Sequence, residues 1–266
     1  MVSAQLATAQ TLQQFAPAPP GKSHLTVFAD GAVKQVVSQP GDATATTGSL
    51  GMSYQGQNFI VGGVISVLAK GDTITKGYGA SLLPPAAGAA TNSALLDVRW
   101  VTLSERFGAN CTAPENTRSR WCALGAHGYL AASSNLWQVQ PAVGTTPANV
   151  QNVPVHATGV GTYFVFFDDK LHDTPVGMSV DAMFVTRSIR GDVTLPSEVN
   201  DGIRNQLLGT TGKTFGGGSL GLNIHYDAVN AGLTYYRMAG TIPGFSGGQI
   251  VAAIALRAKL NDGDVK

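Results

Sequence analysis

The stretch SLGLNIHYDAVNAGLTYYRMAGTIPGFSGGQIVAAIALRAKL, residues 219–260, decides the fold. Leu220, Leu222, Ile224, Tyr226 and Ala228 alternate with Gly221, Asn223, His225 and Asp227; a two-residue turn is read at Val229-Asn230, and the chain returns through residues 231–239. A last run sets Ile250, Ala252, Ile254, Leu256, Ala258 and Leu260 against Val251, Ala253, Ala255, Arg257 and Lys259. Successive side chains of a strand point to opposite faces, so a period of two with one apolar and one small or polar face predicts strands. At about ten residues each, these strands exceed the usual five or six of soluble sheets and match what a tilted strand needs to cross hydrocarbon. The expected fold is all-β, a transmembrane antiparallel up-and-down β-barrel.

Composition points the same way. Charged residues are 12% of the 266, about half the share of roughly 25% in soluble domains. Glycine is abundant at 33 residues while the apolar share is an ordinary 44%, as expected when only every second residue meets lipid. No run approaches the roughly 18 consecutive apolar residues of a membrane helix. A secreted or capsid-like β-sandwich also favours glycine, threonine and alternation, and stands as the soluble alternative. A net charge of +1 without a basic run argues against a nucleic-acid surface.

Cys111 and Cys122 lie among polar residues with no nearby histidine. Two thiols suit a disulfide better than a metal site, which wants three or four ligands. No metal and no cofactor are expected. Residues 1–22, with Pro17, Pro19 and Pro20, read as a flexible N-terminal segment; 23–260 as the barrel; and 261–266 as a polar C-terminal tail. The first residues carry neither a positive start nor an apolar core, so an exported chain is expected to be a form from which its signal has been removed.

From residue 24 onward the alternation places strands at 24–37, 49–55, 58–70, 78–83, 96–101, 122–132, 136–140, 155–167 and 176–187. With the three strands of the opening stretch the count is twelve, and an even count puts both ends of a barrel on one side. Long connections at 38–48, 104–121, 141–154 and 191–218 alternate with tight ones at Gly56-Gln57, 133–135 and Val229-Asn230; the exceptions are a short one at 71–77 and a long one at 84–93. Aromatics near the short turns, among them Tyr54, Phe59, Tyr129, Trp137, Tyr163, Phe164, Phe166, Tyr226, Tyr235 and Tyr236, read as an interfacial girdle.

On these features, residues 24–260 resemble the Gram-negative outer-membrane β-barrel proteins, of a twelve-stranded, porin-like architecture without a specific family fingerprint. The resemblance implies location in the bacterial outer membrane, contact with membrane lipid, and passage of small polar solutes. The chain departs from the pattern at its end, where Leu260 and a polar tail stand in place of the usual terminal aromatic.

Signs of catalysis are absent. His127, His156 and His225 are followed two positions on by Tyr129, Thr158 and Asp227, so the His-x-Ser of outer-membrane lipid hydrolases is missing. Gly209, Gly212 and Lys213 do not complete a phosphate loop. No enzyme is expected and no catalytic residue is assigned. With the apolar faces toward lipid, the inner wall carries Asp30 and Lys34 on the first strand, Asp97 and Arg99 on the fifth, and His127 on the sixth. Asp181 and Arg187 follow, then His225, Asp227, Arg257 and Lys259. Such a mixed wall serves either as a wet passage for small solutes or as cross-strand ion pairs that fill the bore. A channel and a non-conducting anchor, meeting a protein partner through loops 104–121 and 191–218 or the N-terminal segment, therefore both stand.

Overall fold

The computed structural model describes residues 23–36, 44–56, 58–70, 90–101, 123–140, 149–171, 174–189, 214–239 and 248–264. The strands are β1 (His24–Val36), β2 (Thr44–Gln55), β3 (Phe59–Lys70), β4 (Ala90–Val101), β5 (Ala123–Gln140), β6 (Asn149–Leu171), β7 (Thr174–Ile189), β8 (Thr214–Tyr226), β9 (Val229–Met238) and β10 (Gly248–Asp264). Each pairs antiparallel with the next, and β10 closes on β1. The fold is a closed all-β, up-and-down transmembrane barrel, which rules out the sandwich.

Among the described residues there are ten strands, all in the closed barrel, where twelve were expected. Residues 133–135, read as a turn, are the middle of β5: Ser133 pairs with Ser93 on one side and Val155 on the other, and two ladders outweigh local turn propensity. The strand expected at 78–83 lies outside the described residues, and β3 pairs directly with β4. The final hairpin turns at Asp227-Ala228 rather than Val229-Asn230. Asp227 adopts a φ of 51°, a left-handed geometry that aspartate accepts better than a β-branched residue. Residues 261–264, expected in the tail, complete β10. Residues 1–22 and both Cys111 and Cys122 lie outside the described residues.

At one rim the connections are 56–58, 172–173 and 227–228, together with both ends of the barrel; the other rim carries 37–43, 71–89, 141–148, 190–213 and 239–247. The two exceptional connections of the sequence reading thus become one, 71–89, on the long-loop rim. Conversely, the cysteine-containing connection, 102–122, leaves from the short-turn rim rather than the long-loop rim, and 214–218 belong to β8 rather than to a loop.

The two faces of the wall differ as a membrane demands. Val33, Leu50, Ile65, Leu96, Leu130, Val160, Phe184, Leu220, Leu233 and Ile254, one from every strand, are outward and exposed. A continuous apolar band of this kind is not tolerated in water and is what the hydrocarbon face of a barrel requires. Tyr54, Phe59 and Trp100 pack together on the outside near the short-turn rim, with centroid separations of 5.7 Å and 6.2 Å. Phe164 and Phe166 form an edge-to-face pair on β6 towards the same rim. Tyr129, Tyr163 and Tyr236, expected in the girdle, are instead buried inside.

Candidate functional site

The bore is the candidate site, and it is filled. The largest fully buried side chains, Arg99, Arg187, Tyr163, Tyr236, Phe28 and Ile60, all sit at inward positions. Room for the rings comes from glycines on the neighbouring strand. Phe28 is opposite Gly51, Tyr163 opposite Gly125, Tyr129 opposite Gly159 and His225 opposite Gly177. A Cβ on any of these four glycines would lie within 2.7 Å of the ring it faces. Each ring therefore lies against the bare backbone of the strand beside it, so that the strand glycines are part of the packing of the bore.

The densest polar cluster joins four strands. His127 on β5 has Asp181 of β7 at 2.8 Å from Nδ1 and Asp97 of β4 at 2.8 Å from Nε2. Asn223 on β8 donates to the other oxygen of Asp181 at 2.7 Å. Arg99 Nε lies 3.4 Å from Asp97 Oδ1, and its guanidinium faces the Tyr163 ring at 5.3 Å. Facing a carboxylate on both sides, the imidazole donates from both nitrogens when it is an imidazolium. Two carboxylates, one guanidinium and one imidazolium then leave the cluster neutral, the condition under which buried charges persist.

A second ionic element ties the barrel shut. Arg257 on β10 donates from Nε and Nη2 to the two oxygens of Asp30 on β1, both at 2.8 Å, and stacks over Phe28 at 3.7 Å. The two residues are direct register partners across the closing seam. Bidentate pairing fixes geometry as well as energy. Arg187 is buried where Tyr129 and Tyr236 bear on it electrostatically.

Of the inner-wall residues named from sequence, Asp30, Asp97, Arg99, His127, Asp181, Arg187, His225 and Arg257 are buried in the bore. Asp97, Arg99, His127 and Asp181 come together as one cluster, and Asp30 and Arg257 as a pair. Asp227 is corrected to an exposed turn position, because the hairpin reverses there. Lys259 is exposed as well, where β10 nears the short-turn rim beside the β-bulge at Val27/Phe28. Lys34 occupies an inward register position on β1, opposite Ala253; its side chain is outside the described residues. Sequence reasoning missed Tyr129, Tyr163, Tyr236 and Asn223 as bore residues. The signal was present in the register, since each stands two positions from an inward residue or opposite an inward glycine.

No protein-family model matches this chain, and no curated protein matches it in sequence. Solved structures similar to it include the outer membrane protease OmpT from Escherichia coli, at 9% identity over 94% of this chain and 100% of that one, TM-score 0.33. The outer membrane protein OprD from Pseudomonas aeruginosa aligns at 8% identity over 95% and 97%, TM-score 0.23. The TodX monoaromatic hydrocarbon channel aligns at 10% identity over 92% and 69%, TM-score 0.27. OmpT and OprD are outer-membrane proteins.

Proposed function

We propose that this chain is a barrel of the bacterial outer membrane whose bore is closed by its own side chains, so that in this state it is a non-conducting, membrane-embedded module. The observation that supports the reading is the burial of every charged side chain described at mid-bore. Arg99, Asp97 and Arg187 are at 0% exposure and His127 at 1%, whereas the wall of an open porin is wet. Its work then falls to the surfaces outside the bilayer. The connections 102–122 and 190–213 leave opposite rims, so a protein partner on one side of the membrane meets only one of them.

Passage of small polar solutes is the second reading. It is favoured by buried polar atoms in the bore without a hydrogen-bond partner, including Tyr129 Oη, Tyr163 Oη, Ser179 Oγ and Asn223 Oδ1, which suit a narrow file of water-sized solutes. Catalysis is not part of either reading, because His127 has both ring nitrogens engaged by carboxylates and offers no free base.

Planar-bilayer recording of the refolded protein decides between them. The expected result is a silent wild-type barrel and measurable conductance once Tyr129→Ala and Tyr163→Ala remove the rings. Stable conductance steps from the wild type would overturn the closed reading in favour of the channel. Full solubility without detergent would overturn membrane residence itself.

A further inference from the structure

The lipid-facing side of β4 to β7 is not smooth. It carries a groove of about 450 Å³, flanked by Leu96 and Leu130 on one side and Val160 and Phe184 on the other. Gly128 makes the groove. It occupies an outward position between exposed Ala126 and Leu130, opposite Val98 on β4 and Val160 on β5's other neighbour, β6. Without a side chain there, the floor is bare backbone, with the inward-lying Tyr129 beneath it. A Cβ at Gly128 would meet only the Gly159 carbonyl oxygen at 3.7 Å. The wall would therefore accept a larger residue at this position.

One end of the groove is polar. Thr158 and Thr186 are cross-strand partners on the outward face, and their hydroxyls lie 2.6 Å apart. That mutual bond uses one of the two hydroxyl protons and leaves the other to donate outward. Exposed His156 continues the polar end toward the long-loop rim. An apolar trough with a hydroxyl pair at its rimward end matches a molecule with a hydrocarbon tail and an oxygen-bearing head. The trough is continuous with the lipid-facing band, so the material in contact with it is bilayer lipid. Its volume lies within the roughly 300–1,000 Å³ of specific small-molecule sites.

We propose that this groove seats one acyl chain of a bilayer phospholipid, with the ester or phosphate oxygens of that lipid accepting a hydrogen bond from the Thr158–Thr186 pair. The proposal rests on the membrane-spanning reading of the barrel. It predicts a retained lipid, distinct from those that exchange freely around the wall.

Native mass spectrometry of the refolded full chain, titrated with dioleoyl phosphatidylethanolamine in detergent, tests it. Wild-type barrel is expected to keep one phospholipid under detergent washing that strips the remainder. Gly128→Leu fills the trough and lowers that occupancy by about tenfold, equivalent to ~1.4 kcal/mol. Thr158→Val together with Thr186→Val keeps the shape of the trough, removes both hydroxyl donors and is expected to weaken retention in the same direction. Heat-modifiable gel migration of each variant reports that it is folded. No retained phospholipid on a folded wild-type barrel, or equal retention by all three proteins, overturns the groove while leaving the barrel reading intact. A dimer mass that disappears in Gly128→Leu would overturn it in favour of a second copy of this chain. Failure of the wild type to enter micelles or vesicles would overturn the membrane reading on which it rests.

Discussion

His127 concentrates the electrostatics of the bore in one side chain. Removing a single member of a buried charge cluster strands its partners, whereas removing the cluster together does not. His127→Leu is accordingly expected to cost about 3–5 kcal/mol, read as a lowered urea midpoint of the refolded barrel. The combined Asp97→Leu, His127→Leu, Asp181→Leu replacement, with Arg99→Met, should cost less than the single change. The glycines under the rings give a second test at this scale. Gly159→Ala would put a Cβ 2.1 Å from the Tyr129 ring, and overpacking of this kind costs roughly 1–3 kcal/mol. Tyr129→Ala in the same chain should abolish that penalty, which a double-mutant cycle would measure. Alternation made these residues legible as a row, because each keeps the parity of its strand. Their partnerships were not legible, since Asp97 and Asp181 stand 30 and 54 positions from His127 and meet it only through the register of four strands.

At the scale of elements, the wall obeys its pattern most strictly where it meets lipid. Ile254 on β10 is 59% exposed on the outer face. Ile254→Arg is expected to cost roughly 2–4 kcal/mol as a charge facing hydrocarbon, and to block folding into vesicles. From a wet bore, Ala253→Arg should have been the milder change. The buried wall reverses that expectation: Ala253 is 4% exposed, so an arginine there would be an added buried charge, and Ala253→Arg should also fail to fold. Strand ends and strand number were the poorly legible part. Ser133, Ser134 and Asn135 are turn-forming residues by propensity, yet they continue β5 because strands on both sides supply partners for their backbone groups. On β6 the more apolar row, Val155, Ala157, Tyr163 and Val165, faces inward, while His156, Thr158 and Thr162 face out. A polarity pattern alone assigns the wrong side to such a strand, and closure of the barrel settles it.

The whole molecule is a ring of nearest-neighbour pairings with one long-range closure. Asp30 and Arg257 are 227 positions apart, and the seam they clasp brings His24 beside Asp264. Every other backbone ladder among the described residues joins strands consecutive in sequence. Contact order is therefore low everywhere except at the seam, which cannot zip until both ends of the chain are in place. The seam is expected to form last and to set the folding rate, so that Asp30→Asn slows refolding, followed by time-resolved gel shift, in proportion to its loss of equilibrium stability, with little change in the unfolding rate. Adjacent ends also make the ring indifferent to where it is cut. A circular permutant that links 264 to 24 through a short flexible peptide and opens at 172–173 should fold to the same barrel, and its closure should no longer depend on Asp30.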